Sequence, residues 1–148
     1  VVSSALDRLK NLSAQISSYE LERKNNLKNL EVLYGSLGIE GKVSFFNDLF
    51  EFKAINLSGI SLSDDTLGVV KEGKYAQIIG IIYDNTAKVK NKNISLAYFG
   101  RAEKVSPQLK CDIIAFVLGW RFEKSFRTLE HYHNLIGQLK TLPRGDVC

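Results

Sequence analysis

The chain has no methionine, only two cysteines, two prolines and two histidines, and a single tryptophan in 148 residues. The scarcities exclude several chemistries. Cys111 and Cys148 are too few for a disulfide framework, and they form no paired motif for zinc or thiol redox work. Their even number leaves a single pairing open, but Cys111 stands in an apolar run and is expected as a small buried hydrophobe. His131 and His133 are two apart, which on a helix sets them on different faces and makes them poor joint metal ligands. Asp64 and Asp65 are adjacent carboxylates with no further ligand at suitable spacing for a hard cation. The complete phosphate-cradling G-x-x-x-x-G-K-S/T is absent, since Tyr75 follows the run Gly68–Lys74, and so are the dinucleotide G-x-G-x-x-G and the nucleophile elbow G-x-S-x-G. No nucleophile–base pattern is readable, so no catalytic residue, metal or cofactor is assigned and the chain is not expected to be an enzyme.

Long apolar runs are also missing. The longest, residues 113–120, falls far short of the roughly 20 residues of a spanning helix. The N-terminus lacks the basic-then-apolar pattern of a signal peptide. The chain opens at Val1 without Met, which suits a fragment of a longer protein or a processed start. The net charge of +4 is mild. It permits an acidic partner or a membrane surface without demanding nucleic acid.

What is present is pattern. Apolar residues make up 45% and charged residues 24%, enough to bury one core in one domain with an appended helix. Residues 2–37 carry a heptad through Val2, Ala5, Leu9, Leu12, Ile16, Tyr19, Arg23, Asn26, Leu30, Leu33 and Leu37. This predicts an oligomeric coiled coil, with a long helix packed on its own domain as the alternative. Its interface is expected at Val2, Leu9, Leu12, Ile16, Tyr19, Leu30 and Leu33. Arg23 and Asn26 interrupt the seam, and a polar residue there often fixes register. Gly35, Gly38 and Gly41 then read as a flexible joint.

Beyond the joint, Ser44 is a candidate N-cap for a short aromatic helix over residues 44–55. Residues 57–63 alternate as a strand, and 66–71 read as a second short strand. Tyr75, Ile78, Ile79, Ile82, Thr86 and Val89 fall on one helical face, so residues 75–89 are predicted helical. Residues 88–93 form a basic loop. Strands are predicted over 93–104 and 108–121, the second apolar on both sides of the pleat. Ile114, Phe116 and Leu118 in that last strand are candidate sheet-interface residues, to be covered partly by a terminal helix at 123–142 and partly by a partner. Phe126, Leu129, His133 and Ile136 mark that helix, with Pro143 beyond it.

The predicted fold class is α+β: an N-terminal coiled-coil helix, a ferredoxin-like αββαββ domain and a C-terminal helix. The divisions are 1–37 for the stalk, 38–122 for the domain and 123–148 for the helix and tail.

This order resembles the PilO family of type IV pilus assembly proteins and, in outline, PilN and the type II secretion subunit GspM. The local likeness is carried by Phe45-Phe46-Asn47-Asp48-Leu49-Phe50, by Asn56-Leu57-Ser58-Gly59-Ile60-Ser61-Leu62, and by Glu72-Gly73-Lys74-Tyr75 at the start of the second helix. The resemblance implies a non-catalytic periplasmic domain of an inner-membrane protein, with its membrane anchor upstream of Val1. It would form a homo- or heterodimer with a similar αββ protein of the same machine and bind no specific nucleic acid. Two alternatives stay open. One is a small basic nucleic-acid-binding module, suggested by a pI near 9.0 and aromatics beside Arg101. The other is a coiled-coil viral fibre segment.

Overall fold

The computed structural model describes residues 2–84, 86, 88 and 91–143, with the backbone alone at Val2, Ser3, Ile16 and Ser17. Two long helices bracket a small sheet. Helix α1 spans Val2–Ser36 and α2 spans Pro107–Thr141. Between them run strands β1 (Ala54–Ser58), β2 (Tyr75–Tyr83) and β3 (Asn91–Arg101), antiparallel in the order β1-β2-β3. Mixed α and β character is as expected. The αββαββ order is not observed: among the described residues the sheet has three strands, all between the helices.

Two assignments are exchanged relative to the sequence reading. The Ile-rich stretch predicted helical is the central strand β2. Its buried residues Ala76, Ile78 and Gly80 alternate with half-buried or exposed Tyr75, Gln77, Ile79 and Ile81, the period of two that a pleat imposes. A continuous apolar run satisfies either period, so it cannot choose between them. Four isoleucines, with an interior glycine, favour the strand. Val89, part of the predicted helical face, lies outside the described residues.

Conversely, residues 108–121, predicted to be a strand, are helical and continuous with the predicted terminal helix. Burial at Ile113, Phe116, Val117, Trp120 and Glu123 follows steps of three and four. Ser106 is the N-cap, its hydroxyl accepting from the Leu109 N–H at 3.2 Å, with Pro107 at the first helical position. Ile114, Phe116 and Leu118 are therefore not sheet residues. Phe116 is fully buried in the core, Ile114 packs against it, and Leu118 is exposed. Cys111 lies on the exposed side of α2 and is not a buried hydrophobe; Cys148 lies outside the described residues.

The aromatic segment after the joint is a 3-10 turn, Phe46–Glu51, leading straight into β1. Ser44 does not cap it; Phe45 occupies that position without a side-chain bond. Its carbonyls are taken by α2 instead. The Trp120 indole donates to Leu49 O at 2.8 Å and the Lys124 ammonium to Phe50 O at 2.6 Å. Those carbonyls are held by α2 rather than by a continuing helix. Of the predicted strands 57–63 and 66–71, Leu57 and Ser58 belong to β1, and the rest shrinks to one bridge, Ile60 with Val70.

One core holds these parts together. Leu30, Leu33 and Tyr34 of α1 meet Ile55, Ile78 and Leu96 of the sheet and Ile113, Phe116, Val117 and Trp120 of α2. Both helices pack against the same face of the sheet. The last turns of α1 thus belong to the globular part, and the 122/123 division falls inside α2. The glycine-rich joint is anchored rather than loose. Gly38 takes the left-handed conformation that ends α1, at φ 75°. Ile39 and Val43 beyond it are buried, and the Tyr34 hydroxyl donates to Val43 O.

That hydroxyl gives a pH test. Burial, helped by the charges of Glu40 and Asp48, raises the Tyr34 phenol above its ordinary value. The unfolded chain then ionises first. The stabilising contribution is complete below pH ~10 and declines as pH rises through that point. Urea denaturation at increasing pH is expected to show this decline, and Tyr34→Phe to remove it while lowering stability at neutral pH by about 1 kcal/mol for the lost hydrogen bond.

Candidate interaction site on the paired helices

The two helices run antiparallel, as their contacts show: Arg23 reaches Glu123 and Glu130, whereas Asn26, further along α1, reaches back to Gly119. Contact begins at a close approach. The Asn26 side-chain amide donates to Gly119 O at 2.9 Å. A Cβ on Gly119 would stand 2.8 Å from Asn26 Oδ1 and 3.0 Å from Leu30 Cδ2, so a larger residue there would have to displace the Asn26 and Leu30 side chains.

One helical turn along α2 sits a charge cluster. The Glu123 carboxylate is fully buried. Arg23 grips it through two bonds, at 2.8 and 3.0 Å, and Arg127 adds a third at 2.9 Å. Arg23 also bonds Glu130 at 2.5 Å. The Arg127 guanidinium lies 3.9 Å from the centre of the Phe50 ring, and that of Arg23 lies 5.1 Å from Phe126. These bonds raise the Arg23 pKa further above its ordinary value, so it remains charged at any working pH. Fork geometry and ring stacking suit arginine, not lysine, at both positions.

Beyond the cluster the helices stand clear of the core. Eleven large apolar side chains there are 43–68% exposed among the described residues. On α1 they are Leu6, Leu9, Leu12, Tyr19 and Leu21; on α2 they are Leu129, Tyr132, Leu135, Ile136 and Leu139, with Leu142 at its C-cap. Leu129, Tyr132, Ile136 and Leu139 repeat the three-four spacing of a heptad seam, which the sequence reading marked only in part. A shallow groove between the helices is lined by Tyr19, Glu20, Arg23, Phe126, Leu129 and Glu130.

The expected coiled-coil residues therefore divide. Leu30 and Leu33 are buried in the chain's own core, while Leu9, Leu12 and Tyr19 are exposed. The side chains of Val2 and Ile16 lie outside what the structure describes. Among the described residues no group of three or more His, Cys, Asp or Glu side chains could hold a metal ion. No described helix is long and apolar enough to cross a membrane. Compared with protein-family models, curated proteins and solved structures, the chain matches none of them.

The cluster predicts an order of damage. Arg23→Ala leaves a buried carboxylate with one partner and is expected to cost about 3 kcal/mol. Glu123→Met leaves two arginines that can turn to water, and is expected to cost about 1 kcal/mol or less. Equilibrium denaturation ranks them; the opposite order would mean that the arginines, not the carboxylate, are trapped.

Proposed function

We propose that this chain is a non-catalytic assembly protein whose working surface is the outer half of the α1–α2 pair. One observation carries the reading: the eleven exposed apolar side chains gathered on the protruding ends of two helices. An exposed apolar patch of this extent marks an interaction surface. With about half of each side chain in water, it offers on the order of 1,000 Å², against roughly 800 Å² per partner in a stable complex. The outer helices, residues 2–22 and 128–142, hold four acidic and three basic side chains. The net charge of +4 therefore lies elsewhere, and self-association there meets little repulsion.

The narrower reading, a periplasmic subunit of the alignment subcomplex of a type IV pilus or type II secretion machine with an anchor upstream, is supported by a long amphipathic helix leading into an α+β domain. The ferredoxin-like detail has less support, since Gly73-Lys74-Tyr75 begins a strand and not a second helix.

A photo-crosslinking residue placed at Leu12 or Leu135 is expected to form adducts in cells, whereas one at Lys104 is not. Adducts at Lys104 alone would put the working surface on the sheet side. The purified chain is expected to dimerise at micromolar concentration. Leu9→Asp plus Leu12→Asp should weaken that by more than tenfold in sedimentation equilibrium with unchanged circular dichroism. A wild-type monomer at high concentration would defeat the self-association part.

The nucleic-acid alternative gains one observation. Tyr75 and Tyr98 are exposed on the open face of the sheet, rings 5.9 Å apart, with Arg101 paired across from Tyr75. Stacking platforms have this character. Yet the surplus of basic groups is small for tracking a phosphate backbone. Fluorescence anisotropy at physiological salt is expected to show no sequence-dependent binding of labelled oligonucleotides below micromolar concentration; tight, sequence-dependent binding would reverse the order of the two readings.

A further inference from the structure

A second, differently built surface lies at the base of the helix pair. Leu27, Phe45 and Phe46 line a groove of about 500 Å³ bordered by Lys24, Lys28 and Arg127, with Glu31 as its one acidic group. Phe45 is 71% exposed, the most open of the large apolar side chains described. An apolar trough with a basic rim selects an occupant with the opposite rim: an apolar side chain flanked by carboxylates.

The chain carries such a segment. Asp64, Asp65 and Leu67 are exposed together on the turn between β1 and β2. The turn is held in shape by its own bonds. Ser61 and Thr66 share a hydroxyl hydrogen bond at 2.7 Å, Gly68 N donates to Ser61 O at 2.8 Å, and Thr66 N donates to Ser63 O at 3.2 Å. A preformed knob loses little freedom on docking. None of Lys24, Lys28, Asp64 or Asp65 takes part in an ion pair among the described residues.

Within one chain the two cannot meet. A Cβ on Gly68 would stand 3.6 Å from Ile114 of α2, so the turn lies beside that residue, whereas the groove is bordered by Arg127. Thirteen residues of helix put them roughly 20 Å apart along α2. Two copies can meet. We propose that the groove bordered by Lys24, Lys28 and Phe45 receives the acidic turn, residues 64–67, of a second copy of this chain. The contact is head-to-tail: it uses two different patches, so it closes into a reciprocal pair or a ring, or else propagates. This deepens the assembly reading and rests on it, because it supplies a second contact, separate from the outer helices.

The test is a charge exchange between full-length variants, followed by sedimentation velocity over a concentration series. Lys24→Glu plus Lys28→Glu sets acid against acid, and Asp64→Lys plus Asp65→Lys sets base against base. Each variant alone is expected to self-associate through this contact at least tenfold more weakly. An equimolar mixture is expected to recover wild-type association, because both contacts in a mixed pair join opposite charges. All four positions are exposed, so circular dichroism should be unchanged. Failure of the mixture to recover, or indifference of association to either variant, overturns the proposal. So does a monomeric wild type, even one whose groove takes a foreign acidic peptide. Loss of association in Leu9→Asp plus Leu12→Asp, with the charge variants unaffected, overturns this contact alone and leaves the helix-pair reading standing. Loss in the charge variants alone does the reverse.

Discussion

The carboxylate of Glu123 is fully buried between Arg23 and Arg127, and the arrangement of the two helices depends on it. A buried ion with no partner costs several kcal/mol, so α1 and α2 are held to the register that brings Arg23 opposite Glu123. One turn below, Asn26 and Gly119 require the same register at closer range. Sliding α1 by a turn would strand the carboxylate and take the Asn26 amide away from the Gly119 carbonyl. Such pairs add little net stability compared with an apolar replacement; their effect is to penalise the alternatives.

The same cluster fixes the aromatic turn before β1. Trp120, Lys124 and Arg127 leave α2 at successive turns and take the Leu49 carbonyl, the Phe50 carbonyl and the Phe50 ring. The Phe50 ring is stacked parallel on Trp120 at 6.4 Å, and Phe46 bridges edge-on from Phe50 to Tyr34 of α1. Helix pairing and sheet attachment are therefore linked through a few side chains on one stretch of α2. Arg23 stands where packed core gives way to open apolar helix.

Where the sequence was legible, it was so for a physical reason. The α1 heptad runs over five repeats, long enough for its period to be unambiguous, and β3 alternates through Ile94 and Leu96 up to the register shift beyond which Tyr98 is exposed. The failures came where apolar residues run on without a break. In β2 and in the first half of α2 the less buried face is apolar too, through Ile79 and Ile81 in the strand and Cys111, Ala115 and Leu118 in the helix, so neither period leaves a clear polar mark. Ser106 followed by Pro107 could have decided α2, since a capping hydroxyl and a residue with fixed φ begin helices as readily as they make turns. The interaction surface was half legible. Leu9, Leu12 and Tyr19 were readable from the heptad. Tyr132, Leu135 and Leu139 were not, because their helix was expected to lie over the sheet.

Arg23 and Asn26 show why a seam must be read together with whatever it faces. In a homo-oligomeric coiled coil they would confront their own copies, and two arginines at one level repel. Opposite α2 they confront a carboxylate and an unobstructed carbonyl. The polar interruption therefore divides α1 between two partners. From Leu27 onward it packs on its own chain, and before Arg23 its apolar residues stay exposed. A long amphipathic helix that changes partner at a polar pair can hold its domain rigid and still present a free surface. A separate flexible stalk would lose that coupling, because the ordered base of the pair sets the direction in which the exposed residues project.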